Sequence, residues 1–186
     1  MKKLILILII VTGLVGCQSK VVSKITIKCQ EDVKVGSFIE VDGESYKVVD
    51  EEMLKIMISK NDDVTYVCTS KITNMNNMFT TTFNQDISSW DVSNVTNMNS
   101  MFHDALAFNQ PIGNWDVSNV TQMNSMFGVR EDDWEGHKSN FNQPLNNWDV
   151  SSVTTMQSMF YNNTVFNQDI SSWDVSNVNN MTYMFY

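Results

Sequence analysis

The chain has 186 residues, of which 21 are Asp or Glu and 12 are Lys or Arg, and its net charge is −9. Residues 74–186 are the most acidic part, since they contain eleven Asp or Glu and only two basic residues, Arg130 and Lys138. Nucleic-acid binding requires Lys and Arg to neutralise phosphate charge, so we expect no nucleic acid partner. An acidic surface also argues against direct adsorption to anionic lipid.

The N-terminal residues have the pattern of a lipoprotein signal peptide. Met1-Lys2-Lys3 supplies a charged start, and the apolar stretch 4–11 that follows is too short to cross a bilayer as a helix. Leu14-Val15-Gly16-Cys17 resembles a bacterial lipobox, which implies cleavage before Cys17 and a lipid on its sulfur. We expect residues 1–16 to be the signal peptide and Cys17 to anchor the mature protein, of net charge −11 without the two lysines, to a membrane. The alternative is an ordinary secretory signal with a chance cysteine.

Residues 17–66 lack the repeat found further along and are predicted to form a small α+β cap. Two strand-like stretches, Ser37 to Val41 and Tyr46 to Val49, flank the turn signal Asp42-Gly43, which predicts a β-hairpin. The stretch from Asp50 to Ile58 has acidic residues at its start and apolar residues at helical spacing, which predicts a short helix. Such a cap would cover the apolar end of a solenoid.

Two cysteines, Cys29 and Cys68, remain if Cys17 carries a lipid. In an exported protein they face an oxidising compartment, and both fall in strand-like stretches. The two cysteines could form a disulfide or remain as free thiols, and the sequence does not decide between these possibilities because it does not supply the geometry.

A block of about twenty-five residues recurs through residues 67–186. A degenerate first copy spans residues 67–82, and full copies begin near Phe83, Phe108, Phe141 and Phe166. A period of this length predicts a solenoid, in which each unit packs on its neighbours. Every full copy has a Trp seven residues after its Phe; these are Trp90, Trp115, Trp148 and Trp173.

Within one copy the apolar pattern predicts a short strand followed by a helical turn. Trp90 and Val92 would share one face of the strand. The residues that follow at helical spacing are Val95, Met98, Met101 and Phe102. Ser93 lies at the junction, where its hydroxyl could cap the turn. The expected fold class is α+β, a solenoid with a short strand and a helical turn per repeat, preceded by the small cap.

The repeated pattern Trp-x-Val-Ser-x-Val-Thr-x-Met-x-x-Met-Phe is similar to the core of leucine-rich repeats. More specifically, it resembles the BspA-like bacterial surface proteins, over residues 67–186 and in five tandem matches. The resemblance implies a leucine-rich-repeat-like solenoid on a lipid-anchored or secreted protein of the bacterial cell envelope. It also implies adhesion to an extracellular or host protein. The cap is not identified in this way.

Three columns of side chains recur with the repeat. The Trp column is interpreted as core packing, with stacking on sugars as the alternative. A second column is interpreted as a turn ladder whose amides bond to backbone between copies; its members are Asn84, Asn109, Asn142 and Asn167. A third column places like charges about 4.8 Å apart, so its carboxylates must be solvated, bonded to turn amides or bridged by calcium. Its members are Asp91, Asp116, Asp149 and Asp174.

One connection departs from the period. The segment between Phe127 and Phe141 is eight residues longer than its counterparts. Loops on rigid scaffolds often carry function, and a Trp near Arg and His is typical of a binding anchor. Tolerated drift in length is the alternative. The candidate binding residues are Arg130, Asp132, Asp133, Trp134 and His137.

No catalytic motif is present in the sequence. The two histidines, His103 and His137, lie in no metal or triad pattern, and there is no Gly-rich phosphate loop. We therefore expect a protein that is not an enzyme and needs no cofactor. The predicted function is a protein-binding or adhesion module anchored to a membrane by its N-terminal lipid. The alternatives are a calcium-assisted glycan-binding module and a purely structural stalk.

Overall fold

The computed structural model describes residues 25–130 and 138–186. The predicted signal peptide, residues 1–16, and the predicted lipidation site Cys17 lie outside these ranges. In chain order the named elements are strand β1 (Phe38–Val41), strand β2 (Glu44–Val48), helix α1 (Glu51–Ser59) and strand β3 (Val67–Cys68).

The predicted hairpin is confirmed and forms part of a three-stranded sheet of order β1-β2-β3. Strands β1 and β2 are antiparallel, with Phe38 opposite Lys47. The turn residues Asp42 and Gly43 have φ values of 51° and 86°, and this pair of positive angles is what a tight two-residue hairpin requires. Strand β3 pairs with β2 in parallel, so the cap sheet continues into the first repeat copy.

Helix α1 is confirmed close to its predicted limits. Asp50 caps it by accepting a hydrogen bond from the Met53 amide at 2.9 Å, and acidic residues fill the first turn, where they complement the helix dipole. Leu54 and Ile58 are buried in the same apolar cluster as the repeats. The cap therefore shares a core with the repeats.

Successive repeat copies lie side by side and pair in parallel. The pairing residues, one from each copy, are Asn74, Asn97, Gln122, Thr155 and Asn180. Backbone hydrogen bonds extend this ladder on both sides of each pair. Examples are Met98 N to Gln122 O at 2.9 Å and Met156 N to Asn180 O at 2.9 Å. Each copy thus supplies hydrogen-bond partners for backbone amide and carbonyl groups of its neighbour.

The predicted assignment of a strand followed by a helical turn within each copy is wrong. The pairs between copies form at Asn97 and its equivalents, inside the segment expected to be helical, and residues 95–102 are turns and bridges. The reason is a left-handed residue, Ser100, with φ 52°, which kinks an extended chain. Its equivalents Asn77, Ser125, Ser158 and Tyr183 also have positive φ. The kink lets Met98, Met101 and Phe102 all face the core without a helix.

The interior of the repeats is apolar and built from rings that stack between copies. The Met-Phe phenylalanines form one column, in which Phe102 and Phe127 lie 5.4 Å apart with rings 2° from parallel. The phenylalanines that begin each copy form a second column, and Phe127 and Phe141 join the two at 4.0 Å. These contacts bury one copy against the next. The assignment to the leucine-rich-repeat class as a whole stays a prediction.

Candidate functional site

The four tryptophans of the repeat column are core residues. Their exposed fractions are between 1% and 8%, so their ring faces are not available for stacking on a sugar. Each indole Nε1 also donates a hydrogen bond to a backbone carbonyl at 3.0–3.2 Å, and this carbonyl belongs to the cap for Trp90 and to the preceding copy for the other three. The acceptors are Val64, Ile87, Ile112 and Leu145, in chain order. Apolar spacing predicted the burial but gave no sign of these bonds, because the acceptors are backbone atoms.

The asparagine column forms the expected turn ladder. Asn84 Oδ1 accepts from the Asn109 amide at 3.0 Å and from Gln110 Nε2 at 2.9 Å. Asn109 does the same for the next copy, and Asn142 for the copy after that. One side-chain oxygen therefore satisfies two donors of the following copy, which fixes the spacing of this turn.

The aspartate column bonds within its own turns. Asp149 Oδ1 accepts from the amide and the hydroxyl of Ser151 at 3.1 Å and 2.7 Å, and the same pairing occurs at Asp91 and Asp116. At Asp174 the Ser176 amide donates at 3.0 Å. Ser93 therefore donates to Asp91 instead of capping a helical turn as predicted.

These bonds change the acidity of the column. The Ser151 hydroxyl and amide hold the pKa of Asp149 below its usual range, although the neighbouring Asp174 opposes this. The pKa of Asp174 is lowered by the Ser176 amide and hydroxyl. Within residues 25–130 and 138–186, no group of three or more His, Cys, Asp or Glu is arranged to hold a metal ion. Calcium at this column stays the untested alternative interpretation.

The long connection is attached to fixed parts of the repeats at both ends. At its start, the Val129 amide donates to Tyr161 O at 2.8 Å and the Arg130 amide donates to Asp104 Oδ1 at 2.8 Å. At its end, the Asn140 amide donates to Leu106 O at 3.1 Å. Four of the five predicted binding residues, Asp132, Asp133, Trp134 and His137, lie outside the described residues. The fifth, Arg130, has a side chain that is 72% exposed.

A charged group marks the base of this connection. The Arg130 guanidinium pairs with Asp104 Oδ2, and His103 Nδ1 lies 3.2 Å from the same oxygen. Partial burial raises the pKa of Asp104. The hydrogen bonds from the Arg130 amide and guanidinium, together with the nearby His103, lower the pKa by more than this, so the net shift is downward. Asp104 and His103 were not predicted here, because they belong to the preceding copy and meet Arg130 only when copies stack.

The structure decides between the two possibilities left open for the cysteines. Cys29 and Cys68 form a disulfide with their Cα atoms 6.1 Å apart. Cys29 does not lie in a named strand, whereas Cys68 ends β3. Beside the bond is an open cleft of about 690 Å³ with Lys28, Lys71 and Asp91 in its wall.

A protein-family model matches residues 50–132 and 135–186, which is more than half of the chain. The family is described as Mycoplasma protein of unknown function, DUF285. This chain belongs to that family. No curated protein and no solved structure matches it. In the described part of this DUF285 protein, no helix is both long enough and apolar enough to cross a bilayer.

Proposed function

We propose that this DUF285 member is a BspA-like surface lipoprotein whose repeats act as a protein-binding or adhesion module. It would be held in the bacterial cell envelope by the lipid on Cys17, and its partner would be an extracellular or host protein. The single observation that carries the proposal is the anchoring of the long connection. Its two ends bond to backbone or side chains of the neighbouring copies at 2.8–3.1 Å.

The physical argument concerns preorganisation. A loop whose ends are fixed loses less conformational entropy when it binds than a loop on a mobile base. Here the base is fixed by Asp104 and by backbone of the copies before and after, and those copies share one stacked core. A Trp near the middle of such a loop, as at Trp134, is the residue type most often found at interface hot spots. The mechanism would be non-covalent recognition, without catalysis.

The test is binding of the protein from Gln18 onward to host matrix proteins and to a glycan array, with and without calcium. A variant lacking residues 131–138 has a connection of the same length as its counterparts. The matched control keeps all residues of 131–138 in scrambled order, so length and charge are unchanged. Saturable protein binding lost in both variants supports the proposal, because the order of residues then matters.

Other outcomes favour the alternatives. Retention on glycans only with calcium would support the glycan-binding module and direct attention to the exposed aspartates Asp116, Asp149 and Asp174. No saturable ligand of either class would support the structural stalk. Protein binding that survives removal of residues 131–138 would keep the adhesion function but move its site to another face.

A further inference from the structure

Residues 25–31, called the strap below, form the first described segment and lie against the first two repeat copies. The Ile27 amide donates to Ser89 O at 2.8 Å, and Ile27 pairs in parallel with Trp90. The Cys29 amide donates to Ser70 Oγ at 3.2 Å. Lys71 Nζ donates to Glu31 O at 2.8 Å. The disulfide from Cys29 to Cys68 is the one covalent attachment among these contacts.

The strap lies over two residues of the second copy whose equivalents in the later copies are exposed to solvent. Asp91 and Ser89 are 3% and 2% exposed, whereas the equivalent residues of the next three copies are exposed. Those equivalents are Asp116, Asp149 and Asp174, with Asn114, Asn147 and Ser172. Ser70 Oγ of the first copy donates to Asp91 Oδ2 at 2.6 Å, so Asp91 is covered by the first copy as well as by the strap. Since the other copies tolerate hydration at these positions, this burial is not required by the repeat.

Apart from the three hydrogen bonds given above, the strap is held without covalent bonds by one small apolar cluster and one long ion pair. Ile27 packs with Val48 and Cys68 in a cluster separate from the main core of the repeats. Lys28 approaches Asp91 only to 3.8 Å, with a side chain that is 63% exposed, and exposed ion pairs contribute little to stability. Detachment of the strap would therefore disturb the small cluster and leave the Phe columns and the parallel ladder in place.

We propose that the Cys29–Cys68 disulfide is a redox latch: a small dithiol reduces it in the folded protein, and reduction releases the strap and uncovers Asp91 and Ser89. This inference is independent of the proposed adhesion function. The geometry decides which sulfur is attacked, because Cys29 is half-buried in the wall of the open cleft and Cys68 is fully buried.

The exchange has two steps. A thiolate of the reductant attacks Cys29 Sγ, the Cys29–Cys68 bond breaks, and Cys68 leaves as a thiolate that takes up a proton. The second thiolate of the reductant then attacks the sulfur bound to Cys29, which releases Cys29 as a thiolate that is also protonated. The protein disulfide is reduced to two thiols, and the dithiol is oxidised to a cyclic disulfide.

The experiment uses the full chain in native buffer with graded dithiothreitol, followed by iodoacetamide and by hydrogen exchange read by peptide mass spectrometry. Peptide mapping separates Cys17 from the other two cysteines. We expect alkylation of both Cys29 and Cys68. The hydrogen-exchange rate of the Ile27 amide should rise at least about tenfold, because a segment can open locally while the rest of the protein stays folded. The ladder amides Met98 and Met123 should keep their protection.

A pair of variants separates a latch from a general staple. The double variant Cys29→Ser with Cys68→Ser should show the fast Ile27 exchange without reductant, whereas Lys28→Ala should keep it slow in the oxidised protein. Three results would overturn the proposal. They are reduction only in denaturant, loss of ladder protection at the same dithiothreitol concentration, and an Ile27 amide that stays protected after both cysteines are alkylated.

Discussion

Neighbouring copies approach each other closely at Gly113. A Cβ added to Gly113 would lie 2.4 Å from the carbonyl oxygen of Pro144 in the next copy. Gly-to-Ala changes are otherwise mildly stabilising, because they restrict the unfolded chain. Here the clash decides the sign, and we expect Gly113→Ala to destabilise the protein by about 1–3 kcal/mol, as over-packing does. Urea unfolding with an unchanged slope would measure this.

The control is the equivalent position of the following copy. Asn146 is exposed, so Asn146→Ala should change the free energy of unfolding by less than about 0.5 kcal/mol. Stabilisation by Gly113→Ala would mean that the copies are free to move apart at this point, against the contact described.

The aspartate column predicts how the stability of the protein changes at acid pH. The pKa of Asp149 is lower in the folded protein than its ordinary value, because the Ser151 hydroxyl and amide bond the charged carboxylate. A lowered folded pKa adds stability that is present above the unfolded pKa, about 3.9, and is lost as the pH falls through the folded value. We expect urea midpoints to fall below about pH 4. In Asp149→Asn, which keeps an acceptor for Ser151, the decline should be shallower; equal declines would contradict this assignment.

At the scale of the element, the period predicted which residues share a column, but it could not say which segment pairs between copies. Asn84, Asn109 and Asn142 fall on one ladder because each holds the same position in its own copy, although the long connection places the last two 33 residues apart. Val95, Met98 and Met101 have a spacing that fits both a helical turn and an extended chain with a left-handed kink. Only the positive φ of Ser100 separates these two, and a serine gives little sequence signal for it.

The contribution of the asparagine ladder can be measured at one rung. Asn142 Oδ1 accepts from the Asn167 amide and from Gln168 Nε2, both at 3.0 Å. Asn142→Ala removes both bonds, together with the bond that Asn142 Nδ2 donates to Asn167 Oδ1 at 3.0 Å, and should cost about 1–3 kcal/mol on urea unfolding, given roughly 1 kcal/mol per hydrogen bond. Asn142→Asp keeps the acceptor, loses only the Nδ2 bond and should cost less. Equal losses in the two variants would show that these bonds contribute nothing.

For the whole molecule, nearest-neighbour stacking makes the position of a defect matter. Phe127 is 2% exposed and stacks on Phe102, Phe141 and Phe160 of both adjacent copies, at 4.0–5.5 Å. Phe127→Ala should cost about 3–5 kcal/mol. Because each copy packs mainly on its neighbours, a central defect should also separate the array into two parts that unfold at different urea concentrations.

The matched substitution is Phe166→Ala in the last copy, where the ring is half-buried and stacks on Phe141 and Phe160. It should cost less and leave a single transition, since loss of an end copy does not divide the stack. Circular dichroism reports the ladder, and tryptophan fluorescence reports the indoles buried in every full copy. If both variants unfold in one coincident transition, coupling extends beyond neighbouring copies, and the repeats behave as one cooperative domain.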